Sequence, residues 1–142
     1  MLYVDTSVFV PFFVREPASE AVERWFEQAG TRTLGLSSWT VAEFVSAVGI
    51  KVRARALASA KGTSVVRQFR SLVRKSFRPI EPTSDDFEKA AWLMERFDLG
   101  LRAGDALHAA IAQNANATSL VTLDKALARA AGKVGLSCEM PA

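Results

Sequence analysis

Four carboxylates, Asp5, Glu43, Asp105 and Asp124, are spaced far apart in the chain but stand at equivalent kinds of position. Asp5 ends the apolar run Met1-Leu2-Tyr3-Val4 and is followed by two hydroxyls, Thr6 and Ser7. A short apolar run reads as a buried strand, and parallel α/β sheets bind their ligands outside the carboxyl ends of such strands. Asp5 is therefore expected as an exposed ligand at a strand end. Glu43 closes the pattern Thr40-x-x-Glu43, which opens a helix. Asp105 follows Gly104 at the start of another helix, and Asp124 follows the run Ser119 to Thr122. With parallel strands, all four acids gather at one edge of the sheet. Carboxylates packed together repel one another unless a cation holds them. The hard ion that takes one or two carboxylates together with waters and phosphate oxygens is Mg²⁺, with Mn²⁺ a close substitute. A zinc cluster has no ligands to draw on, because His108 and Cys138 are the single residues of their types. Each acid also has a local role open to it. Asp5 can cap a helix, Glu43 can complete a capping box with Thr40, and Asp105 and Asp124 can complement helix dipoles.

The elements that must position these acids alternate. Leu2 to Asp5 is the first strand, and Ser7 to Val14 a short helix that contains Pro11. Ala18, Ala21, Val22, Trp25, Phe26 and Ala29 follow at helical spacing until Gly30. Thr33 to Ser37 is a second strand. A helix runs from the Thr40 cap to about Ser59, Gly62 marks a break, and a second helix covers Ser64 to Ser76. Arg78 to Glu81, with Pro79 and Pro82 around Ile80, makes a brief edge strand. Ser84 or Asp85 caps a helix that carries Phe87, Ala90, Ala91, Met94 and Phe97 on one face and ends at Gly100. A further helix spans Asp105 to Ala115. Ser119 to Thr122 is a strand, Asp124 starts a helix reaching Ala131, and Ser137 to Met140 is a last short strand. This alternation predicts an α/β protein, a parallel sheet covered on both faces. No linker or repeat interrupts it, so residues 1–142 read as one domain.

Charge divides the chain. Between Phe44 and Ile80 there is no acid, and nine of the 18 basic residues lie there, Arg67, Arg70 and Arg74 among them. A basic block beside an acidic remainder suits a polyanion gripped by one part and acted on by another. It equally suits a solvated helix pair. No apolar run is long enough to span a bilayer, and no basic leader opens the chain. With no internal disulfide possible, a cytoplasmic setting is expected.

Tyr3-Val4-Asp5-Thr6-Ser7-Val8, Ala42-Glu43-Phe44, Arg102 to Ala110 and Val121-Thr122-Leu123-Asp124 resemble, in order and spacing, the successive acidic motifs of PIN-domain nucleases. The likeness is closest to the small bacterial toxin ribonucleases of VapC type. It implies a three-layer α/β/α sandwich with a short, mainly parallel sheet of four to five strands. It implies a Mg²⁺- or Mn²⁺-dependent endoribonuclease acting on RNA, a cognate antitoxin that blocks the site, and a homodimer. Asp5, Glu43 and Asp105 match the three core acids and Asp124 a more variable fourth. Ser7 falls where members carry a small polar residue that supports the site. Asp5, Asp105 and Asp124 are expected to hold one or two ions, and Glu43 to ligate an ion or orient the attacking water. The basic block, including Arg67, Arg70 and Arg74, is expected against RNA or antitoxin.

His108 lies one helical turn from Asp105. The motif gives it no catalytic role, and helix packing or the surface is expected for it. Trp39 and Trp92 are expected in core or interface packing rather than in base stacking. Two other readings stand beside the nuclease. A haloacid-dehalogenase-type phosphatase needs an aspartate two residues after the first, where Ser7 stands, and a receiver domain needs an acceptor Asp on a mid-chain strand, where none fits. A non-toxin PIN nuclease, or a catalytically silent RNA- or protein-binding module on the same fold, remains the alternative.

Overall fold

The apolar run at the start does form a strand, and it is the middle one. In the computed structural model, which describes residues 1–142, β1 (Leu2–Val4) lies at the centre of a five-stranded sheet. The remaining elements are α1 (Thr6–Phe13), α2 (Ser19–Ala29), β2 (Leu34–Ser37), α3 (Ser38–Arg53), α4 (Ser59–Ser76), β3 (Arg78–Ile80), α5 (Ser84–Glu95), α6 (Ala103–Asn114), β4 (Ser119–Val121), α7 (Lys125–Lys133) and β5 (Cys138–Glu139). A 3₁₀ turn, Phe97–Leu99, follows α5. The strand order is β3-β2-β1-β4-β5, and every pairing is parallel. The carboxyl ends of all five strands therefore share one edge. Leu2 stands opposite Leu34 on one side and Ser119 on the other.

Strand alternation sorts the core into two layers. Leu2 and Val4 of β1 join Val8, Phe9, Phe44, Val48, Val65 and Phe69, drawn from α1, α3 and α4. Tyr3, between them, points to the opposite face and joins Ala90, Leu93, Ala106, Ala110 and Leu127, drawn from α5, α6 and α7. The expected three-layer α/β/α sandwich is thus present. Phe44 and Phe69 stack at 3.9 Å between ring centroids and lock α3 to α4. No helix is long and apolar enough to cross a membrane.

Four local expectations are corrected. The cap of α3 is Ser37, not Thr40: Ser37 Oγ accepts the Thr40 N–H at 3.3 Å. β2 keeps its pairing with β3 as far as Ser37, so the helix starts at once. Gly62 does not break a helix but lies inside α4. A Cβ there would stand 2.8 Å from Val52 Cγ2 and 3.3 Å from Val48 Cγ1, so the glycine lets α4 pack closely against α3. The cap of α5 is Thr83, paired with Asp86 in a reciprocal capping box. The inward face of α5 is Asp86, Ala90 and Leu93, while Phe87 and Phe97 are exposed. An apolar stripe fixes a helix face, but the side turned to the sheet is set by fit, and small Ala90 lies against the Ala-rich α6.

Candidate functional site

Parallel pairing brings the ends of β1, β2 and β4 together, and the first turns of α1, α3, α6 and α7 meet there. Asp5 caps α1 through the Ser7 N–H, which its Oδ1 accepts at 2.9 Å. Ser7 Oγ donates to the same oxygen and accepts the Leu123 N–H at 2.8 Å. Thr122 Oγ1 donates to Asp5 Oδ2 at 2.7 Å. The Ser7 hydroxyl thus ties the β1 end to the segment after β4. Thr122 gives the same support and carries no sequence signal of its own. Asp5 is 3 % exposed, so the ligand expected in the open is nearly sealed. Its two oxygens offer about four lone-pair positions. Three are taken by these bonds, which leaves one on Oδ2. Burial pushes the Asp5 carboxyl above its ordinary range, against the opposing pull of His108, Ser7 and Thr122.

Glu43 lies in the second turn of α3 and does not complete a capping box. Its Oε1 accepts from Thr6 Oγ1 at 2.7 Å and meets His108 Nε2. Its Oε2 carries no hydrogen bond. Burial alone would raise this carboxyl, but the bond from His108, its attraction and the Thr6 hydroxyl outweigh burial and hold it low. His108, expected in packing or at the surface, is 2 % exposed and polar-bonded on both ring nitrogens. Its Nδ1 lies 2.8 Å from the Tyr3 hydroxyl, which in turn lies 2.8 Å from Ser37 Oγ and 3.4 Å from Thr40 Oγ1.

Asp105 and Asp124 complete the group. Asp105 sits in the first turn of α6, half-buried, and accepts no hydrogen bond. Burial raises its carboxyl above the ordinary range, and so do the charges of Asp124, Asp5 and Glu43, with His108 opposing. Asp124 caps α7: its Oδ1 accepts the Ala126 and Leu127 N–H groups at 2.8 and 3.0 Å, and its Oδ2 stays free. Glu43, Asp105 and Asp124 line one cavity of ≈ 440 Å³, together with Gly100, Arg102, Gly104 and Ala126. Asp5 does not line it, but its charge contributes to raising the Asp105 carboxyl. Arg102 is the cation in that wall, exposed and in no ion pair, and sequence reasoning passed it over. Arg67, Arg70 and Arg74 are exposed on α4 and do not line the cavity.

Only oxygens face the cavity from the acids, and several are without a donor. That donor set fits a hard divalent cation and repels itself without one. No three His, Cys, Asp or Glu side chains stand close enough to share one ion directly. The fit is thus to an ion held by one or two carboxylates, with waters completing its sphere, the habit of Mg²⁺. Beyond Glu43 a second concavity opens, lined by Thr6, Trp39, Ala42, Ser46, Ala47 and Ile50. Trp39 is half-buried and its indole N–H reaches Gly104 O at 3.4 Å, whereas Trp92 is 58 % exposed and outside the core.

The sequence profile described as PIN domain matches residues 2–133. No curated protein sequence matches the chain. Among solved structures, FitAcB from Neisseria gonorrhoeae is similar at 21 % identity and a TM-score of 0.72, over 99 % of this chain and 98 % of that one. VapBC2 from Rickettsia felis, bound to a fragment of promoter DNA, gives 20 % and 0.72 over 99 % and 98 %. VapC20 from Mycobacterium tuberculosis, described as a sarcin-ricin loop cleaving toxin, gives 14 % and 0.73 over 96 % of each. At such identities the likeness carries the fold.

Proposed function

Given that the chain belongs to the PIN-domain family, we propose that it is a divalent-metal-dependent endoribonuclease, one nuclease domain across residues 1–142, and the toxin of a toxin–antitoxin pair. The observation that carries the reading is the cavity edge itself. Glu43, Asp105 and Asp124, from α3, α6 and the cap of α7, open onto it. Asp105, which accepts no hydrogen bond, is raised above its ordinary range by burial and by the charges of Asp124, Asp5 and Glu43.

Asp5, Asp105 and Asp124 would hold one or two Mg²⁺ ions, or Mn²⁺ in their place, each ion bound directly by one or two carboxylates and by the others through water. Glu43 would join them or orient the attacking water. A bound divalent ion supplies two things here, a more acidic water and neutralisation of charge on the phosphoryl oxygens. The chain supplies the rest. Ser7 and Thr122 fix the Asp5 carboxylate, Thr6 fixes one oxygen of Glu43, and Arg102 offers a cation to a backbone phosphate entering the cavity. Hydrolysis leaves a 5′-phosphate and a 3′-hydroxyl. The exposed arginines of α4 bind RNA phosphates away from the reacting centre or meet the antitoxin. Toxin–antitoxin complexes among the similar folds, one of them from Klebsiella pneumoniae, support the antitoxin partner. A homodimer in the cytoplasm completes the reading.

The test is cleavage of RNA with Mg²⁺ or Mn²⁺, compared with EDTA and with Asp5→Asn. Cleavage in the first alone is expected. Equal activity in all three sinks the metal-nuclease reading, and tight RNA binding without cleavage turns it into the silent binding module. Cleavage by a chain with no antitoxin encoded beside it leaves a non-toxin PIN nuclease.

A further inference from the structure

Glu43 is the acid held from behind by a buried network that reaches outside the acidic cluster. A line of buried polar groups runs to it across the sheet edge. The Thr40 N–H bonds Ser37 Oγ, Ser37 Oγ bonds the Tyr3 hydroxyl, and that hydroxyl bonds His108 Nδ1. On the other side of the same ring, Nε2 meets Glu43 Oε1. The members come from β1, the β2–α3 junction and α6, elements brought together only by the fold. Tyr3 and Ser37 are fully buried and His108 nearly so, and each has its polar atoms satisfied within the line. A buried network of this kind is rigid when complete and unfavourable when one member is lost. Its geometry resembles the way enzymes orient a ligand through the group behind it, where loss of the outer partner lowers activity or metal affinity about 10- to 100-fold.

We propose that Tyr3 and His108 form a positioning pair for Glu43. The imidazole donates from Nε2–H to Glu43 Oε1, and the Tyr3 hydroxyl sets the ring plane through Nδ1. With Thr6 on the same oxygen, Oε1 becomes the fixed pivot and Oε2 the oxygen presented toward α6 and the cavity. Neither Tyr3 nor His108 touches substrate. Both act through the carboxylate. The activity arm of the test rests on the nuclease reading, and the spectroscopic arm does not.

His108 is the chain's one histidine, so the ring nitrogens of uniformly ¹⁵N-labelled, ion-free protein report it alone. The expected spectrum has Nε2 protonated, with Nδ1 shifted in Tyr3→Phe and Nε2 shifted in Glu43→Gln. An unprotonated Nε2, or ring signals indifferent to both variants, overturns the proposal whether or not the protein cleaves RNA. For activity, the probe is a fluorophore–quencher single-stranded RNA of mixed sequence with Mn²⁺. His108→Leu is expected to lose about 10- to 100-fold in kcat with KM nearly unchanged. His108→Gln, whose amide can reach the Nε2 position, is expected to recover most of that loss, and Tyr3→Phe to lose less than His108→Leu. Melting temperatures of all three check folding. Equal kcat in His108→Leu and the parent, or equal loss in the Leu and Gln variants, refutes positioning. A parent that leaves the probe uncut refutes the nuclease reading, and the ring spectrum then decides this proposal alone.

Discussion

Gly104 precedes Asp105 in the first turn of α6, and what stands against it is the acidic edge of the cavity. A Cβ at this position would lie 3.1 Å from Glu43 Oε2 and 3.4 Å from Trp39 Cζ2. The second contact is ordinary, so the first decides the outcome of Gly104→Ala. Helix α6 itself gains from the change, by less than the ~1 kcal/mol of a helix interior because the site is in the first turn. The carboxylate must retreat by roughly 0.3 to 0.5 Å to reach normal contact. It cannot translate freely, since Thr6 and His108 hold Oε1, so Oε2 swings about that pivot. Catalytic groups tolerate about 0.5 Å of error. A 1 Å displacement costs on the order of 10²-fold. Scaled on a logarithmic rate, the expected loss in kcat is about 4- to 10-fold, while stability stays within about 1 kcal/mol, or about 4 °C in Tm. Cleavage kinetics on a labelled RNA and a thermal melt of the same preparation separate the two quantities. Unchanged kcat would show that Oε2 has no required position. A fall in Tm of more than about 8 °C would show that the methyl disrupts α6 instead.

Asp105→Asn is expected to raise the Tm of ion-free protein at neutral pH and to shrink the gain in Tm on adding Mg²⁺. The sign follows from its raised carboxyl: burial and the neighbouring acids make the folded chain bind a proton that the unfolded chain releases near pH ~4. Stability of the ion-free parent therefore falls as pH rises from there through the raised value, and the variant's profile should be flatter. A variant less stable than the parent in EDTA would contradict this. Charge reversal at Arg67, Arg70 and Arg74 is expected to weaken single-stranded RNA binding and to reduce its log–log salt slope by up to about 2, from three phosphate contacts. Binding that does not change, measured by anisotropy across a salt series, assigns that face to the antitoxin or to solubility.

Much of this architecture was legible because its signals are local. Leu2 to Val4 is apolar and short, Pro79 bars β3 from the sheet interior, and Asp5, Asp105 and Asp124 each follow a strand or open a helix. What escaped depends on chain segments meeting. Ser37 and Thr40 are both good caps, and the choice between them is made by the pairing of Ser37 with Ile80 on another strand. Gly62 looks like punctuation until Val48 and Val52 of α3 are placed against it. His108 reads as an ordinary helical histidine, because its partners Tyr3 and Glu43 are 105 and 65 residues away. Thr122 is unremarkable in sequence and yet donates to Asp5 across 117 residues. Arg102 borders the acids only because α6 begins beside α7.

The placement of β1 also has a consequence in time. The strand leaves the ribosome before the other four strands, but its Ser119 partner on one flank follows 117 positions later. At about 5–20 residues per second, that flank stays open for roughly 6 to 23 s. Through that interval Asp5 lacks the Thr122 hydroxyl, and Asp124 has not been synthesised. The acidic edge is therefore completed only when β4 and Asp124 have emerged. A ribosome-bound chain interrupted before residue 119 carries Asp5 and Glu43 without Thr122 and Asp124, so the four acids cannot stand together until β4 and the cap of α7 have been made.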